Sequence, residues 1–304
     1  MTLGITDDDE RLHPVEDPSD HWSDSLYFNA WDPTTGTFLM TRIAVRANAG
    51  QVTAGMVVWR DGTPTYAFGR ELGEIPPTDW DVMAVDGLTY RMLECRQAWA
   101  VQLADHDHQA HLEWHGLADA VSYDGHPAGP LPRDVAWGHY EQTCRVTGDL
   151  VLGGERTRFE GFGQRDHSWG FRHWAGLHQW HWVTGFFPDG RGFNVFEVHR
   201  HDGTTTTNGY VLDGATCQYV VGADRELFRA DDGGAATFRL TMALADGAVR
   251  TVTGERGGVS IPVRPADDQP VVVHETPVRL TLAGGDGDTI EGYGIYEHLV
   301  TEFD

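Results

Sequence analysis

The 304-residue chain is poor in cysteine, poor in basic residues and without any long apolar run. Cys95, Cys144 and Cys217 are far apart and odd in number, with no CxxC pair. That excludes a disulfide framework or a zinc ribbon and fits a reducing cytoplasm, the compartment expected here. Only 22 Lys and Arg stand against 46 Asp and Glu, a formal charge of −24. A surface this acidic repels phosphate backbones and anionic lipid heads, so neither nucleic acid nor a membrane is expected as a partner. No run approaches the ~18 apolar residues of a membrane helix, and no membrane insertion is expected. The opening "MTLGITDDDERLHPVEDPSD" lacks the basic and apolar regions of a signal peptide.

Nucleophile and phosphate signatures are missing as well. There is no GxSxG, no cysteine with an identifiable partner, and no strand–glycine loop–helix setting for a phosphate. Sixteen histidines call for a test of metal binding. His106 and His108, and His199 and His201, stand two apart and so share a strand face. Yet no HExxH or cupin-like set completes them, and "DHDH" reads as an exposed acidic turn. His178 and His181 are three apart, so on a strand they face opposite sides. No metal is expected.

What the chain does have is short apolar runs punctuated by turns. "SLYFNAW" precedes "DPTTG", "QVTAGMVVWR" precedes "DGT", and "QWHWVTGFF" and "FNVFEVHRH" flank "PDGRG". Asp-Gly and Gly supply the positive φ that tight hairpins need. Strands of about 5–10 residues at 8–12-residue spacing indicate an all-β protein. At least about 14 strands exceed one small barrel, so two tandem β units are expected, closed or stacked to remove their edges. Helical period is nearly absent; the best candidates are 78–84 and a turn near 170–177. Residues 1–24 read as a loose polar arm.

Aromatic residues concentrate in one stretch. Eleven of the 38 residues from Phe159 to Phe196 are Phe or Trp, against 11% Phe, Trp and Tyr for the whole chain. By strand alternation Trp180, Trp182, Thr184 and Phe186 share a face, as do Asn194, Phe196 and Val198 across the turn. Such a face is either packed core or the wall of an apolar pocket.

Within this stretch lies "GFGQRDHSWGFRHW", with Arg165, Asp166 and His167 adjacent. In an extended chain Arg165 and His167 point one way and Asp166 the other; if the chain turns at Gly161, Gly163 or Gly170, all three converge. Two accounts stand side by side. In one, Asp166 is a general acid among aromatic rings, His167 orients it or serves as base, and Arg165 fixes Asp166 or a substrate oxygen. Aromatic faces would stabilise a carbocation, as hydration, dehydration or cyclisation of an alkene requires. In the other, Arg165 and Asp166 form a structural ion pair and His167 is a satisfied core residue.

The stretch "GQRDHSWGFRHW" resembles the DHSWG signature of the carotenoid 1,2-hydratase/AttH-like lipocalin superfamily, which also holds terpenoid and polyketide cyclases. It looks closest to an uncharacterised bacterial branch with a RDHSWG motif. "YEQTCRVTGDLVL", "GFFPDGRGFNVFEVH", "IEGYGIYEHLVTEF" and "SLYFNAW" are similar to that branch, so the resemblance runs from about Ser25 to Phe303. It implies two tandem lipocalin-like (calycin) β-barrels, 25–170 and 171–304, with a hydrophobic ligand cavity near their junction. It also implies cofactor-free, non-redox chemistry on an isoprenoid- or polyketide-like substrate. Asp166 matches the motif's carboxylate, His167 its next residue and Trp169 its aromatic. His173 departs from it, standing where the branch has an acid.

The expected function is therefore an acid–base hydratase, dehydratase, isomerase or cyclase for a bulky hydrophobic small molecule. Asp166, His167 and Arg165 are its expected catalytic residues. Trp169, Trp174, Trp180, Trp182, Phe186, Phe196, Tyr140, Asn194 and Glu197 are expected to bind substrate. A homodimer stays open. Two rivals remain: a non-catalytic carrier of hydrophobic ligands, and a carbohydrate-binding β-sandwich whose tryptophans form a flat platform.

Overall fold

Asp-Gly pairs set the hairpins. Asp61 and Gly62, at φ 48° and 76°, and Asp86 and Gly87, at φ 41° and 98°, adopt the left-handed pairs that match the twist of flanking strands. The computed structural model describes residues 4–75, 81–214, 216–264, 270–283 and 288–301. It is all-β, with two short 3₁₀ turns at Asp8–Glu10 and Trp174–Gly176. The expected helix at 78–84 falls partly outside the described residues. The remainder enters the strand Val82–Val85, whose alternation pairs it into a hairpin around Asp86-Gly87. Among the described residues no helix is long and apolar enough to cross a membrane.

The chain divides into two units. The first comprises 1–60, 64–122 and 136–172; the second comprises 61–63, 123–135 and 173–304. Both are antiparallel lipocalin-like β-barrels.

The strands of the first unit are β1 (Trp22–Asp32), β2 (Thr37–Arg46), β3 (Gln51–Arg60), β4 (Thr63–Leu72), β5 (Val82–Val85), β6 (Leu88–Glu94), β7 (Ala98–Asp105), β8 (His108–Gly116), β9 (Val121–Ser122), β10 (Gly138–Leu152) and β11 (Glu155–Phe171). They follow the order β4-β3-β2-β1-β11-β10-β8-β7-β6-β5, with β9 beside β10. One strand face turns inward: Leu26, Phe28, Ile43, Trp99, Trp114 and Val146 are all buried in one apolar core. Phe28 meets Tyr90 and Trp114 edge-on, at ring centroids 4.9 and 5.3 Å. The Trp114 indole donates to the carbonyl of Asn29 at 2.9 Å, so burial leaves its N–H satisfied.

The second unit holds β12 (Leu177–Phe186), β13 (Gly192–Arg200), β14 (Thr205–Asp213), β15 (Thr216–Arg229), β16 (Ala235–Leu244), β17 (Val249–Arg256), β18 (Ile261–Val263), β19 (Val271–Ala283) and β20 (Thr289–Thr301). Their order is β17-β16-β15-β14-β13-β12-β20-β19-β18, and pairing of β17 with β19 closes the barrel. Its core includes Val183, Phe193, Val195, Leu240, Leu280 and Tyr296.

Candidate functional site

The motif lies at the end of β11, between β1 and β10. Its glycines do not turn the chain. A Cβ on Gly161 or Gly163 would fall 1.9 Å from the carbonyl oxygen of Trp31 or 2.0 Å from that of Asn29. These residues are glycine because β1 passes too close for a side chain. The strand therefore stays extended, and the motif divides between two faces. Arg165, His167 and Trp169 share the inward face with Phe28, Leu26 and Tyr140; Gln164, Asp166 and Ser168 share the outward face with Tyr27, His139 and Glu141.

Inside, Arg165 is held by the N-terminal arm. Its Nη2 donates to Glu10 Oε1 at 2.7 Å, its Nη1 to Tyr140 at 2.9 Å, and its Nε to Gln142 Oε1 at 2.6 Å. Trp99 donates to the other Glu10 oxygen at 2.8 Å. Arg165 is 1% and Glu10 0% exposed, and their polar atoms are taken up by one another and by Tyr140, Gln142 and Trp99. Burial opposes the charge on Arg165, yet Tyr140 and Glu10 beside it raise its pKa. Burial pushes the Tyr140 hydroxyl far above the usual phenol range. The expectation that Arg165 holds Asp166 is thus overturned: its carboxylate partner is Glu10, in a segment that sequence alone reads as a loose arm.

His167 follows the same inward course. Its Nε2 lies 2.5 Å from Asp24 Oδ1 and its Nδ1 lies 2.8 Å from the carbonyl of Asp9. Burial works against its charge, but Asp24 raises its pKa. Burial likewise opposes ionisation of Asp24, and His167 and His13 still hold it down at about 2. His13, on the arm, donates its backbone N–H to Asp24 Oδ2 at 2.9 Å and stacks on Trp169 at 3.7 Å. Gly138 leaves room for Trp169, whose ring lies where a Cβ there would stand. Arg165, His167 and Trp169 thus latch the arm into the barrel mouth, and Tyr140 belongs to that latch.

The outward face is polar and buried. His139 bridges Ser168 Oγ, at 2.5 Å from Nδ1, and Glu141 Oε1, at 2.9 Å from Nε2. Gln164 donates to the second Glu141 oxygen. Ser168, His139 and Glu141 are 4%, 4% and 0% exposed. With the carboxylate taking the Nε2 proton, Nδ1 is left as the base facing the serine hydroxyl. Asp166 is half-buried beside this group, with Glu141 and Tyr27 as its cross-strand neighbours. Sequence reasoning missed the Ser168–His139–Glu141 chain. The spacing of His139 and Glu141, two apart on a strand, was its only local signal; Ser168 joins them through register.

In the second unit the register gathers the aromatic residues as alternation implied. Trp182 pairs with Phe196, Thr184 with Asn194, and Trp180 with Val198, on the face opposite the barrel core. Trp180 meets Trp174 edge-on at 4.6 Å and Phe196 at 5.5 Å, and its indole donates to Glu297 at 2.7 Å. Trp174, Trp180, Trp182, Phe186 and Phe196 are all buried. Two amides sit among them: Asn194 accepts from Tyr123, and Asn208 donates to the carbonyl of Gly129 at 2.7 Å. Among the described residues, Asn194 Nδ2 and Asn208 Oδ1 are buried and have no hydrogen-bond partner. A donor and an acceptor are thus available on a mostly aromatic face.

Glu197 does not belong to this face. It turns into the barrel and pairs with Arg225. Beside it, His181 stacks on His298 at 4.3 Å, His199 lies 5.6 Å from His181, and Tyr296 bonds His181 Nδ1 at 3.0 Å. An open groove of about 510 Å³ lies elsewhere on this unit, among Phe228, Arg239, Glu255, Arg279, Glu291 and Tyr293. It is charged and separate from the aromatic face. His106, in the acidic turn, is exposed, and among the described residues the one metal-capable cluster is His13, Asp24 and His167.

Solved structures share this fold. An AttH-like protein of Nitrosomonas europaea matches with a TM-score of 0.66 at 13% identity, covering 93% of each chain. Kievitone hydratase from Nectria haematococca matches at 0.67 and 12%, covering 91% of this chain and 88% of its own. CghA, solved with Sch210972, matches at 0.65 and 15%, covering 93% and 90%. At such identities the likeness is one of fold. A search of curated proteins finds no match. The sequence profile of one family covers residues 6–301, and the chain belongs to that family, described as a domain of unknown function, DUF7064.

Proposed function

We propose that this protein is a cofactor-independent acid–base enzyme, a hydratase, dehydratase, isomerase or cyclase, acting on a bulky hydrophobic isoprenoid- or polyketide-like substrate. The observation that carries the reading is the buried Ser168–His139–Glu141 chain with half-buried Asp166 on the same face. Kievitone hydratase, a hydratase by name, has this fold and supports the reading.

In the hydration direction Asp166 gives a proton to one alkene carbon and the other carbon becomes cationic. Water adds to that carbon, and the proton it loses passes through Ser168 to His139 Nδ1. Glu141 stabilises the imidazolium that forms. Dehydration is the reverse. In cyclisation a second alkene replaces water as the nucleophile, and the new cation so formed loses a neighbouring C–H proton through Ser168 to His139 Nδ1. On the second unit, the tryptophan-rich face is by itself a surface for an apolar ligand. On that face Asn194 Nδ2 and Asn208 Oδ1 offer hydrogen bonds to polar atoms of such a ligand. Arg165 and His167 hold structure and take no part in the chemistry.

The test is turnover of alkene-bearing isoprenoid alcohols and polyenes in ¹⁸O-water, read by mass spectrometry for wild type, Asp166→Asn and His139→Gln. Loss of turnover with ligand binding kept supports the enzyme. Binding without conversion by wild type across the panel supports a carrier instead.

A further inference from the structure

His13, Asp24 and His167 come from three separate places: the N-terminal arm, β1 and β11. Each offers one ligand atom, and the three atoms lie within 4.8 Å of one another. Two imidazoles and one carboxylate are a donor set suited to zinc and its first-row neighbours.

The surroundings resemble those of a ligating histidine. His167 Nδ1 lies 2.8 Å from the Asp9 carbonyl. The other ring nitrogen, Nε2, faces Asp24 Oδ1 at 2.5 Å. That position takes either a proton or a metal ion. A backbone carbonyl on the far nitrogen is also the usual outer support of a metal-bound imidazole. Asp24 is oriented by the His13 backbone N–H at 2.9 Å, and the His13 ring is fixed against Trp169, 5° from parallel. His13 Nδ1 lies 3.1 Å from Asp24 Oδ2. Asp24 and Glu10 bring two carboxylates into the barrel mouth; Arg165 answers Glu10, and a cation held at His167 and His13, a proton or a metal ion, answers Asp24.

We propose that His13, Asp24 and His167 bind one divalent transition-metal ion of the zinc class, which ties the N-terminal arm to the first barrel. The site is structural and independent of the catalytic reading above. Three protein ligands leave a fourth position for water.

The test is titration of the metal-free, untagged full-length protein with Zn²⁺ by calorimetry and with Co²⁺ by visible absorption, together with thermal melts. His13→Gln is the main variant, because His13 lies on the partly exposed arm and its loss spares the barrel core. Asp24→Asn is the second. The expected result is one Zn²⁺ per chain, tetrahedral Co²⁺ bands and a higher Tm with metal. Affinity should fall at least about 100-fold in both variants, beyond the loss typical of an outer-shell change. Absence of one-to-one binding overturns the proposal. So does binding that both variants leave unchanged, which would place the ion on other histidines. A protein that binds no metal but keeps its arm in place has a proton where the ion is proposed.

Discussion

Arg165 and Asp166 are neighbours in the chain, and β11 sends them to opposite faces. One motif therefore does two jobs. Its inward residues fasten an arm, and its outward residues belong to a polar face on which acid–base chemistry is proposed.

The inward half predicts a stability effect. Glu10→Gln or Arg165→Met leaves one buried member of the pair without its partner. Each single variant should lose roughly 3–5 kcal/mol of unfolding free energy, by urea denaturation. The double variant should lose less than the two combined, since the pair is coupled. Additive losses would show that Glu10 and Arg165 act independently.

The second barrel predicts an acid limit. Burial, reinforced by Arg225, holds His199 down at about 4. Burial together with Arg229 holds His298 at about 3. Burial also pushes His181 well below the ordinary imidazole value, and His274 is lowered in the same way. Their folded pKa values lie below the unfolded value of about 6.5. Their contribution is therefore fully present above pH 6.5, and is lost as pH falls from there toward 4 while the unfolded chain binds protons first. Unfolding midpoints measured from pH 7 to 4 should fall steadily, and His298→Gln should flatten the slope. An unchanged slope in that variant would remove these imidazoles from the explanation.

The aromatic face predicts where an apolar ligand loses affinity. Trp182→Ala should weaken a polyene or isoprenoid alcohol by about 30-fold or more, the loss expected of a central aromatic anchor. Phe228→Ala, in the charged groove, should leave binding unchanged. Tryptophan fluorescence titration reads both, and the opposite pattern would move the ligand to the groove.

Much of the fold was legible in the sequence because its signals are local. Asp61-Gly62 and Asp86-Gly87 mark hairpins by their need for positive φ, and the two-residue period put Trp180, Trp182 and Phe186 on one face. The same period separates Asp166 from Arg165. What obscured this was Gly161 and Gly163, which permit a turn in sequence but accommodate the close passage of β1 in the structure. The period also placed Glu197 opposite Phe196, and the structure turns it to Arg225. Glu10, His13 and Asp24 meet Arg165 and His167 across more than 140 positions, and no local pattern announces such contacts. Ser168 and His139 are joined only by register.

The central claim is that Asp166 moves the proton. Its side chain is half-buried and lies on the face opposite the arm latch, so Asp166→Asn leaves the latch intact. The decisive measurement is the turnover number of Asp166→Asn on an alkene substrate that wild type converts. The account predicts a fall of about 10²–10⁴-fold, the range of a lost general acid, with ligand affinity kept. Turnover at the wild-type rate would contradict it.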